Sequence, residues 1–258
     1  MELGGSLTRD RQQHFLRLLR ERGEMDVVAA HTLLGVSLET IRRDLRALES
    51  QGYVRRSYGR VFPVESGAFE TGLEVRKTIN REEKMRIAQA VVPRLGTAQT
   101  VFIDEGFNTE LIAGALPEDR RLLVVTASLP IATLLAPREH MEVIILGGRV
   151  RGNTLGVVDV SAVKMIESFN FDLAIIGANG ISVERGMTTP DPAVAAVKSA
   201  AISKSTRRIF VGAHHKFGRS TFVTFADLSD FEVIITGKEL SPTATARFSA
   251  CGTEVVRV

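Results

Sequence analysis

The sequence has few features of secreted or membrane-spanning proteins. Its single cysteine, Cys251, cannot form an internal disulfide, and we expect it to be an inert packing residue. No stretch approaches the ~18 consecutive apolar residues that a membrane-spanning helix needs. No signal peptide opens the chain, and there is no internal repeat or low-complexity tract. We therefore expect a cytoplasmic protein without a membrane partner.

Lysine is missing from the first 60 residues, which contain 11 arginines and 8 acidic residues. The remaining 22 basic and 22 acidic residues cancel, so the whole net charge of +3 belongs to this first part. Such an asymmetry is expected when one small module faces a polyanion. A membrane surface is the competing polyanion, but the basic segment offers no aromatic or leucine face for insertion. The charge pattern favours nucleic acid.

The first part of the chain reads as three helices followed by a short strand and its return. Ser37 is a natural N-cap for the third helix, and Gly52 ends it. Gly59 and Arg60 suit the tip or return of a wing. The predicted elements are helices over 8–21 and 28–34, an extended piece over 25–27, the arginine-rich helix after Ser37, and a strand over 53–57.

The arginine-rich helix places its charges away from its apolar stripe. If Ile41, Leu45 and Leu48 are buried, a step of about 100° per residue directs Glu39, Arg43, Arg46 and Ser50 outward. Asp44 lies near the stripe's edge, where we expect it to orient an arginine. The N-terminal part of such a helix enters the major groove, and wing cations hold the DNA backbone. We expect these residues at the DNA interface: Ser37, Glu39, Thr40, Arg42, Arg43, Arg46, Arg55, Arg56, Tyr58 and Arg60.

The rest of the chain has the rhythm of an α/β fold. Asn80 and Glu83 have capping-box spacing at the start of a helix that runs to Pro93. Short apolar runs then alternate with helical stretches, which predicts a mostly parallel sheet covered on both faces. The predicted strands are 100–104, 122–126, 143–147, 173–177, 209–213 and 233–236. We expect a winged helix-turn-helix DNA-binding domain over 1–62, a linker over 63–79, and an α/β effector-sensing domain over 80–258.

Small or polar residues follow each predicted strand of the distal domain. Ligands of open α/β sheets bind beyond the carboxyl ends of the strands, so several of these turns should converge on one site. Helix N-termini after Asn108 and Ser128 offer N–H groups to an anion, and Lys216 could add a charge for a phosphate. The alternative without a ligand is that such turns need these residues only for their backbone geometry. The candidate effector residues are Asp104, Glu105, Gly106, Phe107, Asn108, Thr109, Thr126, Ser128, Gly147, Gly148, Arg149, Gly177, Asn179, Gly180, His215 and Lys216.

The pair His214 and His215 raises the question of a metal, since imidazole and the carboxylates of Asp104 and Glu105 are ordinary ligands. Adjacent histidines on an extended segment point to opposite sides, so at most one faces the site. We expect no metal and no other cofactor, and instead a hydrogen bond from one histidine to the ligand.

The first part of the chain contains the ordered run Val36-Ser37-Leu38-Glu39-Thr40-Ile41-Arg42-Arg43-Asp44-Leu45, continued by Leu48, Glu49 and Gly52. In this signature the chain resembles DeoR-family transcriptional regulators, and the resemblance extends over nearly its whole length. The distal domain is similar to the family's sensor, which is related to sugar-phosphate isomerases. The matching residues there are Asn80, Glu83-Lys84, Ile87-Ala88, Val125-Thr126, Ser128-Leu129, Gly147-Gly148, Ile176-Gly177-Ala178-Asn179-Gly180, Thr188-Thr189 and Lys216-Phe217-Gly218. The resemblance implies a repressor whose DNA affinity responds to a phosphorylated sugar or related metabolite.

Three departures from the family pattern concern the effector. The family commonly has aspartate, serine, glycine and two threonines at the first sensor turn, where this chain has Asp104-Glu105-Gly106-Phe107-Asn108. Glu105 would repel a phosphate unless a cation intervenes. His214 and His215 replace an aspartate and a serine, and an acidic residue is missing near 192–195. We therefore expect a ligand that differs from the family's ordinary sugar phosphates.

Two alternative functions are open at this point. An isomerase-like enzyme would use Asp104 or Glu105 as general base, but it leaves the basic module unexplained. A constitutive DNA-organising protein would respond to no small molecule. The favoured interpretation is a regulator that binds a pseudo-palindromic operator as a homodimer or homotetramer.

Overall fold

The computed structural model describes residues 3–50, 53–57, 59–63 and 73–258, which divide into two compact units at Val75 and Arg76. Each unit is described by itself. Within the described part of the chain, every helix is too short or too polar to traverse a bilayer.

The described residues of the first unit form three helices and a small antiparallel sheet. The elements are α1 (Leu3–Arg22), β1 (Met25–Asp26), α2 (Val27–Leu34), α3 (Leu38–Ser50), β2 (Val54–Ser57) and β3 (Arg60–Pro63), with α4 (Leu73–Thr78) at the boundary between the units. The strand order is β1-β3-β2, so the β2–β3 hairpin forms the predicted wing. Asp26 caps α2 by accepting from Ala29 N at 2.6 Å, and Ser37 Oγ accepts from Thr40 N at 3.2 Å at the start of α3.

The apolar stripe of α3 is buried as the sequence predicts. Ile41, Leu45 and Leu48 pack with Phe15 and Leu19 of α1 in one hydrophobic cluster. Gly35 ends α2 with a φ of 63°, a left-handed conformation that favours glycine, and so makes the turn into α3 possible.

The second unit is an α/β domain. Its helices are α5 (Arg81–Val91), α6 (Phe107–Ala115), α7 (Leu129–Leu135), α8 (Val160–Glu167), α9 (Pro192–Ser203) and α10 (Pro242–Ser249). Its strands are β4 (Thr100–Ile103), β5 (Leu122–Thr126), β6 (Met141–Ile145), β7 (Arg149–Val150), β8 (Val157–Val158), β9 (Phe171–Ile176), β10 (Gly180–Ser182), β11 (Gly186–Thr189), β12 (Ser205–Val211), β13 (Val223–Ala226), β14 (Val233–Thr236) and β15 (Glu254–Arg257). Short 3₁₀ segments occupy Val92–Leu95, His214–Lys216 and Leu228–Asp230.

The main sheet of the described residues is parallel, with the order β15-β14-β12-β9-β4-β5-β6. One hydrophobic cluster includes Phe102, Ala174 and Phe210, and another includes Val101, Leu173 and Ile209. Adjacent strand residues point to opposite faces, so each face of the sheet is covered by its own core. This confirms the predicted α/β fold, and each of the six predicted strands belongs to this sheet.

The sequence interpretation missed strands that are short or lie at edges. β15 lies at the edge of the main sheet. Its apolar pair is flanked by the exposed charged residues Glu254 and Arg257, so the sequence shows no apolar run there. The two-residue strands β7 and β8 form a hairpin, and β10, β11 and β13 form a separate antiparallel sheet. Runs of two to four residues are too short to show a period.

The predicted capping box at Asn80 and Glu83 is wrong. Asn80 has a φ of 51° and its side chain caps nothing, although α5 does begin at the next residue. Glu83 is buried and accepts hydrogen bonds from His214 instead, so its carboxylate is not available to the N-cap.

Parts of the sequence interpretation fall on residues outside those described. These are the helix stop at Gly52, the wing residue Tyr58, the side chain of Arg55 and residues 64–72 of the proposed linker. The end of that linker contains helix α4, which the sequence interpretation did not anticipate.

Candidate functional site

The outward face of α3 carries the charged residues. Arg42, Arg43 and Arg46 are exposed together with Glu39, and Thr40 is half-buried at the first turn. The same helix buries its apolar stripe, so the direction of each side chain follows from the helical period. This face can approach the floor of a DNA major groove.

The arginines of this unit differ in their ion pairs. Arg46 pairs with Glu39 at 3.1 Å, Arg56 pairs with Glu49, and Arg60 pairs with Glu24. Among the described residues, Arg42 and Arg43 have no acidic partner. The positive charge of these two side chains is therefore the least compensated on the exposed face.

A groove of about 510 Å³ separates α3 from the wing. Basic side chains from both sides line it, and Glu49 connects them by accepting from Arg56 Nε at 2.8 Å and from Arg56 N at 3.1 Å. The groove residues are Val27, Arg42, Leu45, Arg46, Glu49, Arg56, Gly59 and Arg60. Such a basic groove suits a phosphate backbone.

Asp44 lies at the edge of the buried stripe and orients an arginine, as the sequence predicts. Its Oδ2 accepts from Arg11 Nε at 2.6 Å, and Oδ1 accepts from Arg11 Nη2 and Gln12 Nε2 at 3.1 Å. These bonds raise the pKa of the Arg11 guanidinium and fasten α1 to α3. The acidic residue therefore serves the packing of the module.

In the second unit, the turns after β4 and β9 meet at the carboxyl edge of the sheet. Asp104, directly after β4, is buried, and its Oδ2 accepts from Gly177 N at 2.9 Å. The same oxygen accepts a hydrogen bond from Lys198 of α9, whose Nζ also donates to Gly177 O at 3.1 Å. A lysine inside a helix thus neutralises a carboxylate at the end of a strand.

Glu105 has a cationic neighbour from the β7–β8 hairpin. Arg151 Nη1 lies 3.6 Å from Glu105 Oε1, and Arg151 Nε lies 3.1 Å from Asp191 Oδ2. The hairpin is docked here because Val157 N donates to Ala127 O and Leu129 N donates to Leu155 O. A cation therefore does intervene at Glu105, and two carboxylates share it.

Asn108 is 9% exposed in the first turn of α6 and has no hydrogen-bond partner among the described residues for either amide atom. Oδ1 of Asp104 is likewise buried without a partner in the described part. Buried polar groups are nearly always hydrogen-bonded, so these atoms need a partner that the described residues do not supply. A buried water molecule or a bound ligand can be that partner.

The hydroxyls near this turn are engaged with the backbone. Thr109 Oγ1 donates to Gly106 O at 2.8 Å, and Thr126 Oγ1 donates to Ile103 O at 2.7 Å. Ser128 Oγ accepts from Ile131 N at the start of α7. These side chains hold the turns in place.

His214 and His215 lie in a 3₁₀ segment, so the predicted extended geometry is wrong. The chain bends there because Glu83 accepts from His214 N at 2.6 Å and from its Nδ1 at 2.8 Å. Asn80 Nδ2 lies 2.8 Å from His215 Nδ1, which makes that ring nitrogen the acceptor. Burial and the charges of Lys216 and Lys84 hold the pKa of His215 well below its usual range, so the ring is neutral at pH 7.

Three further cations lie near this edge: Lys216, and the Lys84 and Arg81 side chains that contact the ring of Phe107. Lys216 Nζ donates to Ala178 O at 2.5 Å, in the turn after β9. Lys84 Nζ lies 5.3 Å from the centre of the Phe107 ring, and the Arg81 guanidinium lies 5.7 Å from it. Phe107, which departs from the family pattern, thus packs against the first turn of α5.

Glu83, His214 and Glu239 are the side chains of the described residues that could hold a metal ion, with one ligand atom from each within 4.8 Å of the others. All three have protein partners already. Glu83 binds His214, and Glu239 accepts from Arg86 Nη2 at 2.6 Å. The group differs from the set considered from the sequence, which combined the histidines with Asp104 and Glu105.

Some predicted effector residues lie apart from the buried groups. Gly147, Gly148 and Arg149 are exposed beyond the edge strand β6, and Arg149 Nε pairs with Asp159 at 2.8 Å. A Cβ on Gly148 would lie 2.3 Å from Val158 O, so this glycine allows the β7–β8 hairpin to close. Gly180 similarly leaves room for Arg219 and Thr188. Asn179 accepts from Thr189 Oγ1 at 3.0 Å.

Sequence reasoning missed Arg151, Asp191 and Lys198. Lys198 had a detectable signal, since it is the one charged residue in the run Pro192–Ser203. Arg151 had none, because its ion pairs depend on how the β7–β8 hairpin docks.

Comparisons with known proteins agree on one family. The model of a DeoR-like helix-turn-helix domain matches residues 11–66, and that of a DeoR C terminal sensor domain matches residues 79–238. The HTH-type transcriptional regulator GlpR of Haloferax volcanii is 34% identical over 97% of this chain and 98% of its own length. The glycerol-3-phosphate regulon repressor of Escherichia coli is 30% identical over 88% of this chain and 89% of its own.

Among solved structures, ribose 5-phosphate isomerase A of Methanocaldococcus jannaschii matches with a TM-score of 0.40 and 12% identity, over 54% of this chain and 55% of that one. That likeness is too low to bear on activity.

Proposed function

The chain belongs to the DeoR family of transcriptional regulators, and we propose that it is a repressor whose operator affinity is controlled by a phosphorylated sugar or related metabolite. The effector would bind at the carboxyl edge of the parallel sheet. The observation that carries this proposal is that Asn108 and Asp104 Oδ1 are buried there without a hydrogen-bond partner among the described residues.

The DNA part of the proposal is supported by the exposed face of α3. Arg42 and Arg43 form no ion pair with any described acidic residue, and the groove toward the wing is lined by further arginines. The residues proposed to contact DNA remain those inferred from the sequence. We propose Arg43 and Arg46 for base edges, with Arg42 and the wing for phosphates.

Control by an effector requires unequal affinity of the ligand for two arrangements of the protein. A dimer or tetramer on a pseudo-palindromic operator would change half-site geometry between these arrangements. We propose a homo-oligomer for this reason.

The phosphorylated class of effector is supported by the cations that gather near His215, and by the name of the Escherichia coli relative, which refers to glycerol 3-phosphate. The enzyme alternative has less support. Asp104 and Glu105 are both engaged in ion pairs, and the relatives are named as regulators.

The test is an operator-binding titration with the full chain, followed by fluorescence anisotropy. Phosphorylated metabolites that raise the melting temperature of the protein, glycerol 3-phosphate among them, are added to the protein–DNA complex. We expect at least one to change operator affinity, and we expect Lys216→Ala to abolish that response while sparing DNA affinity.

Lys238→Ala, an exposed lysine in the same unit, is the matched control. If no phosphorylated compound shifts melting or DNA binding, the proposed effector class is wrong, and a constitutive DNA-organising role becomes the better account.

A further inference from the structure

The first sensor turn, residues 104–109, is poorly suited to a phosphate. It carries two carboxylates, Asp104 and Glu105, and its one hydroxyl, that of Thr109, donates to Gly106 O. The nearby hydroxyl of Thr126 donates to Ile103 O. A phosphate here would meet negative charge and would lack a hydroxyl donor.

Arg151 does not reverse this balance. It is buried between Glu105 and Asp191 at 3.6 and 3.1 Å and also donates to Thr154 Oγ1 at 3.1 Å. Lys198 neutralises Asp104, and Arg151 is shared by Glu105 and Asp191, so two cations face three carboxylates and this side of the site stays negative. The ion pair with Arg151 offsets the cost of burying the charge of Glu105.

The groups of the turn that lack a partner in the described part of the chain match hydroxyls. Asp104 Oδ1 can only accept a hydrogen bond, whereas the amide of Asn108 can both donate and accept. A phosphate oxygen could satisfy the amide N–H but not the carboxylate oxygen. A hydroxyl can donate to Asp104 Oδ1, and it can either donate to or accept from the amide of Asn108. Adjacent hydroxyls of a polyol would therefore satisfy both residues.

Positive charge gathers instead around the 3₁₀ segment. Asn80 binds His215, and Lys84 N donates to Asn80 O at 3.0 Å, so the first turn of α5 lies against residues 214–216. Three cationic side chains, those of Lys84, Lys216 and Arg219, act on the neutral His215, and the carboxylate of Glu83 binds the adjacent His214. We call these three side chains and His215 the cationic cluster.

The turn and the cationic cluster are adjacent. The ring of Phe107, next to Asn108, faces Lys84 Nζ at 5.3 Å. One small molecule can therefore present an anion to the cluster and hydroxyls to the turn.

We propose that the effector binds with its hydroxyl-bearing carbons at Asp104 and Asn108 and its phosphate at the cationic cluster. This assignment rests on the proposed function, because it assumes a phosphorylated effector. It makes Asn108 a specificity-determining residue. It also explains the departures at Glu105, Phe107 and Asn108 together, because the turn then contacts hydroxyls rather than a phosphate.

The test compares three probes by calorimetric titration of the full chain: inorganic phosphate, propyl phosphate and glycerol 3-phosphate. Propyl phosphate has the three carbons and the phosphate of glycerol 3-phosphate but lacks its two hydroxyls. We expect Asn108→Ala to weaken glycerol 3-phosphate by about tenfold and to leave the other two probes within about twofold. Lys216→Gln should weaken all three by about tenfold or more.

Asn170→Ala and Lys238→Gln, both at exposed positions, are the matched controls. Asn108→Ala should also melt no lower than the unsubstituted chain, because an amide without a partner contributes nothing to the ligand-free fold. A clear loss of melting temperature would indicate a structural role and overturn the assignment.

The remaining outcomes separate this assignment from the proposed function. If Asn108→Ala weakens inorganic phosphate as much as Lys216→Gln does, the phosphate lies at the turn and the assignment is wrong, while a phosphorylated effector still stands. If none of the three probes binds and no phosphorylated metabolite shifts melting, the proposed function fails and the assignment fails with it.

Discussion

The candidate sites of the two units use charge in opposite ways, although each unit contains both buried and exposed ion pairs elsewhere. In the first unit, the Arg46–Glu39 pair is 63% and 73% exposed. In the second, the Lys198–Asp104 pair is 3% and 1% exposed, and the Arg151–Glu105 pair 8% and 5%. Exposed pairs contribute about 0–1 kcal/mol to stability, whereas breaking a buried pair costs several times more.

This difference follows from what each unit contacts. An exposed arginine can exchange its glutamate for a DNA phosphate because water screens both arrangements. A buried lysine cannot exchange its carboxylate without leaving a charge unsolvated. The first unit is thus suited to reversible contact with a polyanion, and the second to a fixed arrangement of groups around a small ligand.

The largest expected effect is that of Lys198→Met on stability. It leaves Asp104 buried without its cation, and we expect the free energy of unfolding to fall by about 3–5 kcal/mol. The measurement is urea denaturation followed by circular dichroism, since the sequence contains no tryptophan for fluorescence.

Lys164→Met, at an exposed position of α8, is the control and should cost less than about 1 kcal/mol. Adding Asp104→Asn to Lys198→Met should restore much of the loss, because no charge is then buried. Equal effects of the two lysine substitutions would remove the contrast between buried and exposed pairs.

An intermediate effect is expected for Arg43→Ala, and it concerns binding rather than folding. Arg43 is exposed and has no acidic partner among the described residues, so stability should change by no more than about 0.5 kcal/mol. Operator affinity should fall by roughly 1–3 kcal/mol if the side chain contacts a base. Fluorescence anisotropy at fixed salt measures it.

Arg121→Ala, an exposed arginine of the second unit, should leave operator affinity unchanged. A loss of folding stability in Arg43→Ala, or an affinity equal to that of the unsubstituted chain, would refute the proposed role of α3.

The fold was largely predictable because it depends on local periods. Ile41, Leu45 and Leu48 fix the buried side of α3, and the apolar runs ending at Ile103, Thr126 and Ile176 fix three strands of the sheet. Residues at the ends of parallel strands share one edge of the sheet, so Asp104 and Gly177 could be brought together from topology alone.

The ion pairs of the candidate site could not be predicted in this way. Lys198 and Asp104 are 94 residues apart, and Arg151 reaches Glu105 only because a hairpin of two-residue strands docks beside β5. Asn80 and Glu83 show the same limit, since their capping-box spacing is local but Glu83 binds His214 at a distance of 131 residues. Tertiary contacts override local preference where a polar group is buried.

The smallest expected effect, that of Glu49→Gln, tests the contrast within the first unit itself. Glu49 accepts from the Arg56 guanidinium at Oε2 and from Arg56 N at Oε1, and these bonds lower the pKa of Glu49. Both side chains are partly exposed, so solvent screening limits the loss of stability to within about 1 kcal/mol. Because the pKa is lowered by folding, this contribution is present above the unfolded-state value and disappears as the pH falls below about 4.

DNA binding should respond in the opposite direction, because Arg56 is released toward the groove. We expect Glu49→Gln to bind DNA more tightly at low salt and to steepen the logarithmic salt dependence by about one unit. Glu232→Gln is a close control, since Glu232 pairs with Arg207 in the second unit at 2.7 Å with similar exposure. It should match Glu49→Gln in stability and leave DNA binding unchanged. If both variants bind DNA alike, Arg56 is a structural part of the wing and the charge available to DNA is that of α3 alone.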